Sequence, residues 1–229
     1  MRKLEFPLYH GTSTIFLDSI LRHGLGAFNP LIDLKVLPLL EYIYPLWNKA
    51  FESDSNRQAA KFCIEWILGQ VVTEGGANFR HGGTYLTPSK KSAVSYALKN
   101  RFGSELLSYT LNLYQDLVSC KPEISQDPKL KEFPSIYFLE SKALPILIEI
   151  QGIEIDRLRS ETGEGVEKNI ESIRNYSEIG INLEDEILNF NFELIQAVSP
   201  KILKVYEIIL IAEDEFFPNC KFEQIHPPI

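Results

Sequence analysis

Short strand-like segments, most of them followed within a few residues by a glycine or proline, are the feature that most restricts the fold of this sequence. Alternating or brief apolar runs of this kind are typical of β-strands. Few stretches with helical spacing separate them, so the pattern favours an α+β fold over a doubly wound parallel sheet. The predicted strands lie in residues 4–9, 79–88, 144–151, 186–196 and 202–211.

The length of 229 residues suggests one large domain or a domain with an insertion. We predict a single domain over 1–229 with a helical insertion at about 27–78. Within the insertion, residues 56–72 have helical spacing. That spacing places five residues on one predicted buried stripe: Ala59, Phe62, Cys63, Trp66 and Ile67.

Several protein classes are excluded by what the sequence lacks. It has no apolar run of the ~18–20 residues that a membrane helix needs, and no apolar signal segment follows the first Met. We therefore expect a cytoplasmic protein without a membrane partner. The three cysteines form no CxxC pair and no HExxH is present, so we expect no metal. The net charge of −8 argues against a general nucleic-acid coat.

Two strand–turn–helix units carry the residues that suggest chemistry. The first is LYHGTS at 8–13, followed by a helix that should end at Gly24. The second is GGTYLT at 82–87, after which Ser89 should cap a helix. Three residues of that second helix should face inward: Ala93, Tyr96 and Ala97.

These units resemble ADP-ribosyltransferases of the poly(ADP-ribose) polymerase type. That family shows His-Gly-Thr/Ser, an Ile-Leu…Gly-Leu helix end, and a Gly-x-x-Tyr strand followed by Lys-Ser-Ala and Tyr. The last part is matched here by Lys91-Ser92-Ala93 and Tyr96. The resemblance covers roughly the first 25 residues and 79–103, and more loosely the strands after Leu144. It implies split antiparallel β-sheets with NAD as substrate in a cleft between them.

The resemblance also implies a role for each motif residue. His10 would hydrogen-bond a ribose of NAD, and the backbone of Gly11 would hold the nicotinamide amide. Thr12 would support the ribose end. Tyr85 would stack on the nicotinamide ring, and Tyr96 would line the other side of the site or pack beneath it.

A carboxylate near the ribose is the remaining requirement. Glu193, shortly before Val198-Ser199-Pro200, resembles the third motif of the bacterial branch that includes the DarT-like toxins. Glu186 is the main alternative and Glu207 comes last. The carboxylate would bind the ribose 2′-hydroxyl and either stabilise cationic charge or deprotonate an acceptor.

The resemblance therefore predicts an NAD-dependent mono-ADP-ribosyltransferase that releases nicotinamide and modifies a macromolecular acceptor. An intracellular toxin or defence effector, with an antitoxin or other partner protein, would suit this organisation. The acceptor stays open between protein and nucleic acid, since basic residues could form a local lip: Lys90, Lys91, Lys99, Arg101, Lys201 and Lys204.

Two alternatives belong to other classes. One is a tRNA 2′-phosphotransferase-like enzyme, which also uses NAD but has His where this sequence has Tyr85. The other is a catalytically inactive transferase fold that serves as an interaction module, with the apolar insertion as its docking face. Release of nicotinamide from NAD separates the enzyme from the module.

Overall fold

A computed structural model describes residues 2–70, 82–161, 165–184, 190–212 and 218–225. The described residues divide into two compact units. The first unit takes its residues from 1–28, 83–103 and 142–229, and the second from 29–82 and 104–141. The second unit thus begins close to the start of the predicted insertion, and it also includes a later stretch of the chain.

The strands of the described residues all belong to the first unit and pair antiparallel in two sheets, which confirms the α+β class. The four-stranded sheet has the order β1-β3-β6-β7 and the three-stranded sheet has the order β2-β5-β4. Their bounds are β1 Leu8–Ser13, β2 Thr84–Leu86, β3 Pro145–Ile150, β4 Leu158–Ser160, β5 Phe192–Leu194, β6 Leu203–Ala212 and β7 Asn219–Ile225.

Helices are present in both units. Those of the first unit are α1 Leu17–His23, α5 Lys90–Lys99 and α7 Val166–Glu178; those of the second are α2 Pro30–Asp33, α3 Val36–Ala50, α4 Gln58–Gly69 and α6 Glu105–Cys120. Three 3-10 turns follow α6 in the second unit, each beginning at a proline.

The two sheets meet at one short antiparallel bridge. The N–H of Tyr9 donates to the carbonyl of Thr87 at 2.7 Å, and the N–H of Thr87 donates back at 2.9 Å. This bridge brings the end of β2 against the free edge of β1, so residues of the two motifs become neighbours.

Helix α5 covers the four-stranded sheet. Its buried residues Ala93 and Ala97 pack in one apolar cluster with Tyr9, Leu147 and Ile208. The helix begins as predicted, because the side chain of its N-cap Ser89 accepts a hydrogen bond from the N–H of Ser92 at 3.0 Å.

The predicted stop of α1 at Gly24 is also confirmed. Gly24 has φ +96°, a conformation that favours glycine. A β-carbon at this position would lie 2.4 Å from the carbonyl oxygen of Val198, and the next residue, Leu25, exchanges backbone hydrogen bonds with Val198. Gly24 and Leu25 therefore hold the turn after β5 against the end of α1.

Residues 30–69, in the region predicted as a helical insertion, contain α2, α3 and α4, although prolines interrupt the sequence. Helix α3 contains Pro38 and Pro45. Pro38 is the third residue of the helix, where no backbone donor is needed, and Pro45 costs a single intrahelical bond. Burial of Leu40, Ile43 and Trp47 on one face offsets that loss.

The predicted stripe of α4 is wrong. The helix buries Ile64 and Ile67, whereas Phe62 is 71% exposed and Trp66 is 44% exposed. Apolar residues surround most of this helix, so spacing alone could not identify the packed face. The sequence patterns also missed α6, which buries Leu107, Leu111 and Leu117 among others.

Candidate functional site

His10 lies in β1, opposite Ile148 of β3. Its Nδ1 is 2.8 Å from the backbone carbonyl oxygen of Tyr85. A carbonyl can only accept, so Nδ1 carries the proton and Nε2 of the neutral ring is an acceptor. Burial lowers the pKa of His10 from its ordinary value of 6.5, and the bond to Tyr85 opposes this effect more weakly. The ring is therefore neutral at pH 7.

Tyr85 and Glu193 lie directly opposite each other in β2 and β5. Directly opposed residues of an antiparallel pair share one face of the sheet. Burial is the main cause that raises the pKa of Tyr85, followed by the negative charges of Glu193 and Glu161, while Arg159 acts in the opposite direction. The Tyr85 side chain is thus a neutral phenol throughout the physiological range.

Glu193 is only 6% exposed, although it carries a carboxylate. Its partner is Arg159, which lies opposite it in β4. The Nε and a terminal nitrogen of Arg159 donate to the same oxygen, Oε2, at 3.0 and 2.7 Å. The three-stranded sheet therefore carries Tyr85, Glu193 and Arg159 in one row on one face.

Gly83 makes room for the other oxygen of Glu193. A β-carbon at this position would lie 2.5 Å from Oε1 and 3.0 Å from the carboxyl carbon. Distances this short cannot be accommodated unless the carboxylate moves. The glycine before β2 thus leaves room for the side chain of Glu193, the predicted catalytic carboxylate, which lies diagonally across the strand pair.

Gly11 has two distinct relations to its surroundings. Its missing side chain admits α5, since a β-carbon would lie 1.9 Å from the backbone oxygen of Ala93. Its N–H and C=O point to the same edge of β1 as those of Tyr9, because backbone groups alternate along a strand and Tyr9 bonds to Thr87 at that edge. A planar amide ligand at this edge could pair with one donor and one acceptor of Gly11.

Thr12 is buried, and its hydroxyl donates to the carbonyl of Gly103 at 3.1 Å. The bond ties β1 to the turn after α5. The predicted contact of Thr12 with a ribose stays a prediction.

Tyr96 does not face inward. Its side chain is 37% exposed, whereas Ala93 and Ala97 of the same helix are buried. The prediction of three inward residues on α5 was therefore wrong for Tyr96, because positions 93 and 97 already fill the face towards the sheet. A role for Tyr96 in lining the NAD site stays a prediction.

The alternative carboxylates differ in position from Glu193. Glu207 lies in β6 of the four-stranded sheet, opposite Ile146 and Glu223, and so belongs to the other sheet from Tyr85. Glu186 lies outside the described residues. Of the predicted catalytic residues, the structure brings His10, Tyr85 and Glu193 together.

Some of the basic residues that could bind nucleic acid already have protein partners. Lys204 pairs with Glu149 at 2.9 Å, and the ammonium of Lys90 lies 4.2 Å from the ring centre of Phe222. These contacts weaken the case for a basic lip made of all six predicted residues.

Arg159 is the site residue that sequence reasoning missed. Its strand has three residues and lies between polar segments, so no alternation marks it as a strand. Only the pairing of β4 with β5 places it beside Glu193.

Comparisons with protein-family models, with curated proteins and with solved structures found no match to this chain. Among the described residues, no group of three or more His, Cys, Asp or Glu side chains is arranged to hold a metal ion. In the same part of the chain, every helix is too short or too polar to cross a membrane.

Proposed function

We propose that this chain is an NAD-dependent mono-ADP-ribosyltransferase. The observation that carries the proposal is the linked set His10, Tyr85 and Glu193. His10 bonds to the backbone of Tyr85 at 2.8 Å, and the Tyr85 side chain shares a sheet face with Glu193. Three residues that lie 75 and 108 positions apart along the chain are thereby neighbours, in the order that the resemblance implies.

The chemistry of these residues suits cleavage of a nicotinamide riboside bond. Nε2 of the neutral His10 imidazole accepts a hydrogen bond from a ribose hydroxyl, and the Tyr85 ring stacks on nicotinamide. The N–H and C=O of Gly11, which point to the same edge of β1 as those of Tyr9, pair with the carboxamide. These contacts fix the substrate with its C1′ near Glu193.

The reaction breaks the bond between C1′ and the pyridinium nitrogen. The bonding electrons leave with nicotinamide, which becomes neutral, and positive charge develops on the ribose. The carboxylate of Glu193 stabilises that charge and holds the 2′-hydroxyl. The acceptor then forms a bond to C1′ and releases its proton to a base or to water.

Nicotinamide release in the presence of NAD and a cell extract tests the proposal. We expect release from the wild type and a loss of roughly 100- to 1000-fold in Glu193→Gln, the range found when one charge-stabilising group is removed. Glu207→Gln, a change of the same kind in the other sheet, should retain activity. Absence of both release and NAD binding in the wild type would overturn the proposal and favour the interaction module.

Glu186→Gln belongs in the same experiment. Full activity in Glu193→Gln together with loss in Glu186→Gln would reverse the assignment of the carboxylate. Labelled NAD followed by nuclease or protease digestion of the products identifies the acceptor as nucleic acid or protein.

A toxin or defence effector is the biological role that we propose for this activity. Expression of the wild type should arrest growth, and expression of Tyr85→Ala should not. Equal growth in both would contradict the role without touching the enzymatic proposal.

A further inference from the structure

The carboxylate of Glu193 is held by a partner that the proposed chemistry does not yet use. Both Nε and a terminal nitrogen of Arg159 donate to its Oε2, and Oε1 lies against Gly83. The carboxylate is thus fixed from two sides. We infer that Arg159 is a positioning residue that holds Glu193 in the orientation needed at the ribose, an inference that rests on the proposed function.

The geometry of the pair favours orientation. A guanidinium is planar and its donors have fixed directions, so two bonds to one oxygen restrict the rotation of the carboxylate. The glutamate side chain has three rotatable bonds and would otherwise lose this alignment. Misplacement of a reacting group by about 1 Å can lower a rate by about 100-fold.

The two partners differ in exposure. The Glu193 side chain is 9% exposed, but that of Arg159 is 35% exposed. Loss of Arg159 would leave a nearly buried carboxylate without this partner, so the melting temperature should fall as well. Kinetic measurements, and not the melting temperature, therefore distinguish positioning from a structural role.

Arg157 is a matched control two residues earlier. Its side chain is 34% exposed, it pairs with Glu154 at 2.8 Å, and it donates to the carbonyl of Ala197. Arg157→Ala therefore removes an ion pair and a backbone contact of similar exposure without removing a contact of Glu193.

The experiment measures kcat and KM for nicotinamide release in wild type, Arg159→Ala, Arg159→Lys and Arg157→Ala. We expect Arg159→Ala to lower kcat about 10- to 100-fold, with KM for NAD within about threefold. Arg159→Lys should be intermediate, because an ammonium keeps the charge but lacks the fixed pair of donors. Arg157→Ala should keep at least half of the wild-type kcat.

Two further measurements separate positioning from a structural role. Millimolar guanidinium chloride should partly restore kcat in Arg159→Ala, because the site of the lost group is open to solvent, and should not do so in Arg157→Ala. In a Glu193→Gln background, Arg159→Ala should cause no further loss, because the group that it positions is already gone.

Several outcomes would overturn the inference. Wild-type activity in Arg159→Ala would show that the contact of Arg159 with Glu193 is unnecessary. Increased activity would show that Arg159 restrains Glu193 and lowers the rate. An equal loss in the Glu193→Gln background would mean that Arg159 acts on the substrate itself. If Arg159→Ala does not fold, a kcat for Arg159→Lys equal to the wild type overturns it. A wild type that releases no nicotinamide instead overturns the proposed function, and this inference with it.

Discussion

The Nδ1 atom of His10 donates to the backbone carbonyl of Tyr85 over 2.8 Å, across the junction of the two sheets. The contact does not involve the phenol ring of Tyr85. Changes to that side chain therefore leave the tautomer and orientation of His10 unaltered, and the contributions of the two residues can be measured separately.

Replacement of Tyr85 should distinguish its ring from its hydroxyl. We expect Tyr85→Phe to keep kcat/KM for nicotinamide release within about threefold, because the ring remains. Tyr85→Ala should lower it roughly 5- to 150-fold, since stacking of one aromatic ring on a base contributes about 1–3 kcal/mol. Equal losses of kcat/KM in both variants would show that the hydroxyl of Tyr85, and not its ring, contributes to the reaction.

The partly buried imidazole of His10 should make stability depend on pH. Burial lowers the pKa of His10 in the folded chain, so the unfolded chain binds the proton more readily. The stabilisation is fully present above the unfolded pKa of about 6.5 and is lost as pH falls through the lower folded value.

Urea titrations between pH 8 and pH 5 measure this effect. In the wild type, the urea concentration at the unfolding midpoint should decrease as the pH drops below about 6.5. The His10→Gln variant should show a weaker dependence of this midpoint on pH. His23→Gln, a change at an exposed residue at the end of α1, serves as the control. An unchanged slope in His10→Gln would contradict the prediction.

Gly83→Ala should displace Glu193 without removing its charge. The new β-carbon would lie 2.5 Å from Oε1, so the carboxylate must shift while Arg159 still holds Oε2. We expect kcat to fall about 10-fold or more, with a melting temperature close to that of the wild type.

Gly69→Ala is the control for this change, because nothing lies within 4 Å of the added carbon. It should leave kcat unaltered. Wild-type kcat in Gly83→Ala would show that the position of the carboxylate does not limit the reaction.

Gly11→Ala should act on stability. The added carbon would lie 1.9 Å from the backbone oxygen of Ala93, and a helix backbone cannot give way as a side-chain tip can. Overpacking costs about 1–3 kcal/mol or more, so the melting temperature should fall by about 5 °C or more. Thermal unfolding followed by circular dichroism measures this; a shift no larger than that of Gly69→Ala would contradict it.

Local signals were sufficient where one short segment determines the structure. The cap at Ser89 and the stop at Gly24 follow from side-chain capping and from backbone conformation, which depend on a few adjacent residues. The same reasoning failed for Tyr96 and for the aromatic residues of α4, because a helix with apolar residues on several sides has more than one face that could pack.

The sequence by itself determined the α+β class and the two motif units. The resemblance of these units indicated His10, Tyr85 and Glu193 as candidate residues, with Glu186 as the alternative carboxylate. Only the tertiary structure decided that Arg159 and Gly83 hold the carboxylate of Glu193 and that Gly11 admits α5. These relations join residues far apart along the chain, and pairing of strands and close packing create them. No local pattern encodes which distant strand lies opposite a given glutamate, so the positioning of the candidate carboxylate is a property of the assembled sheet.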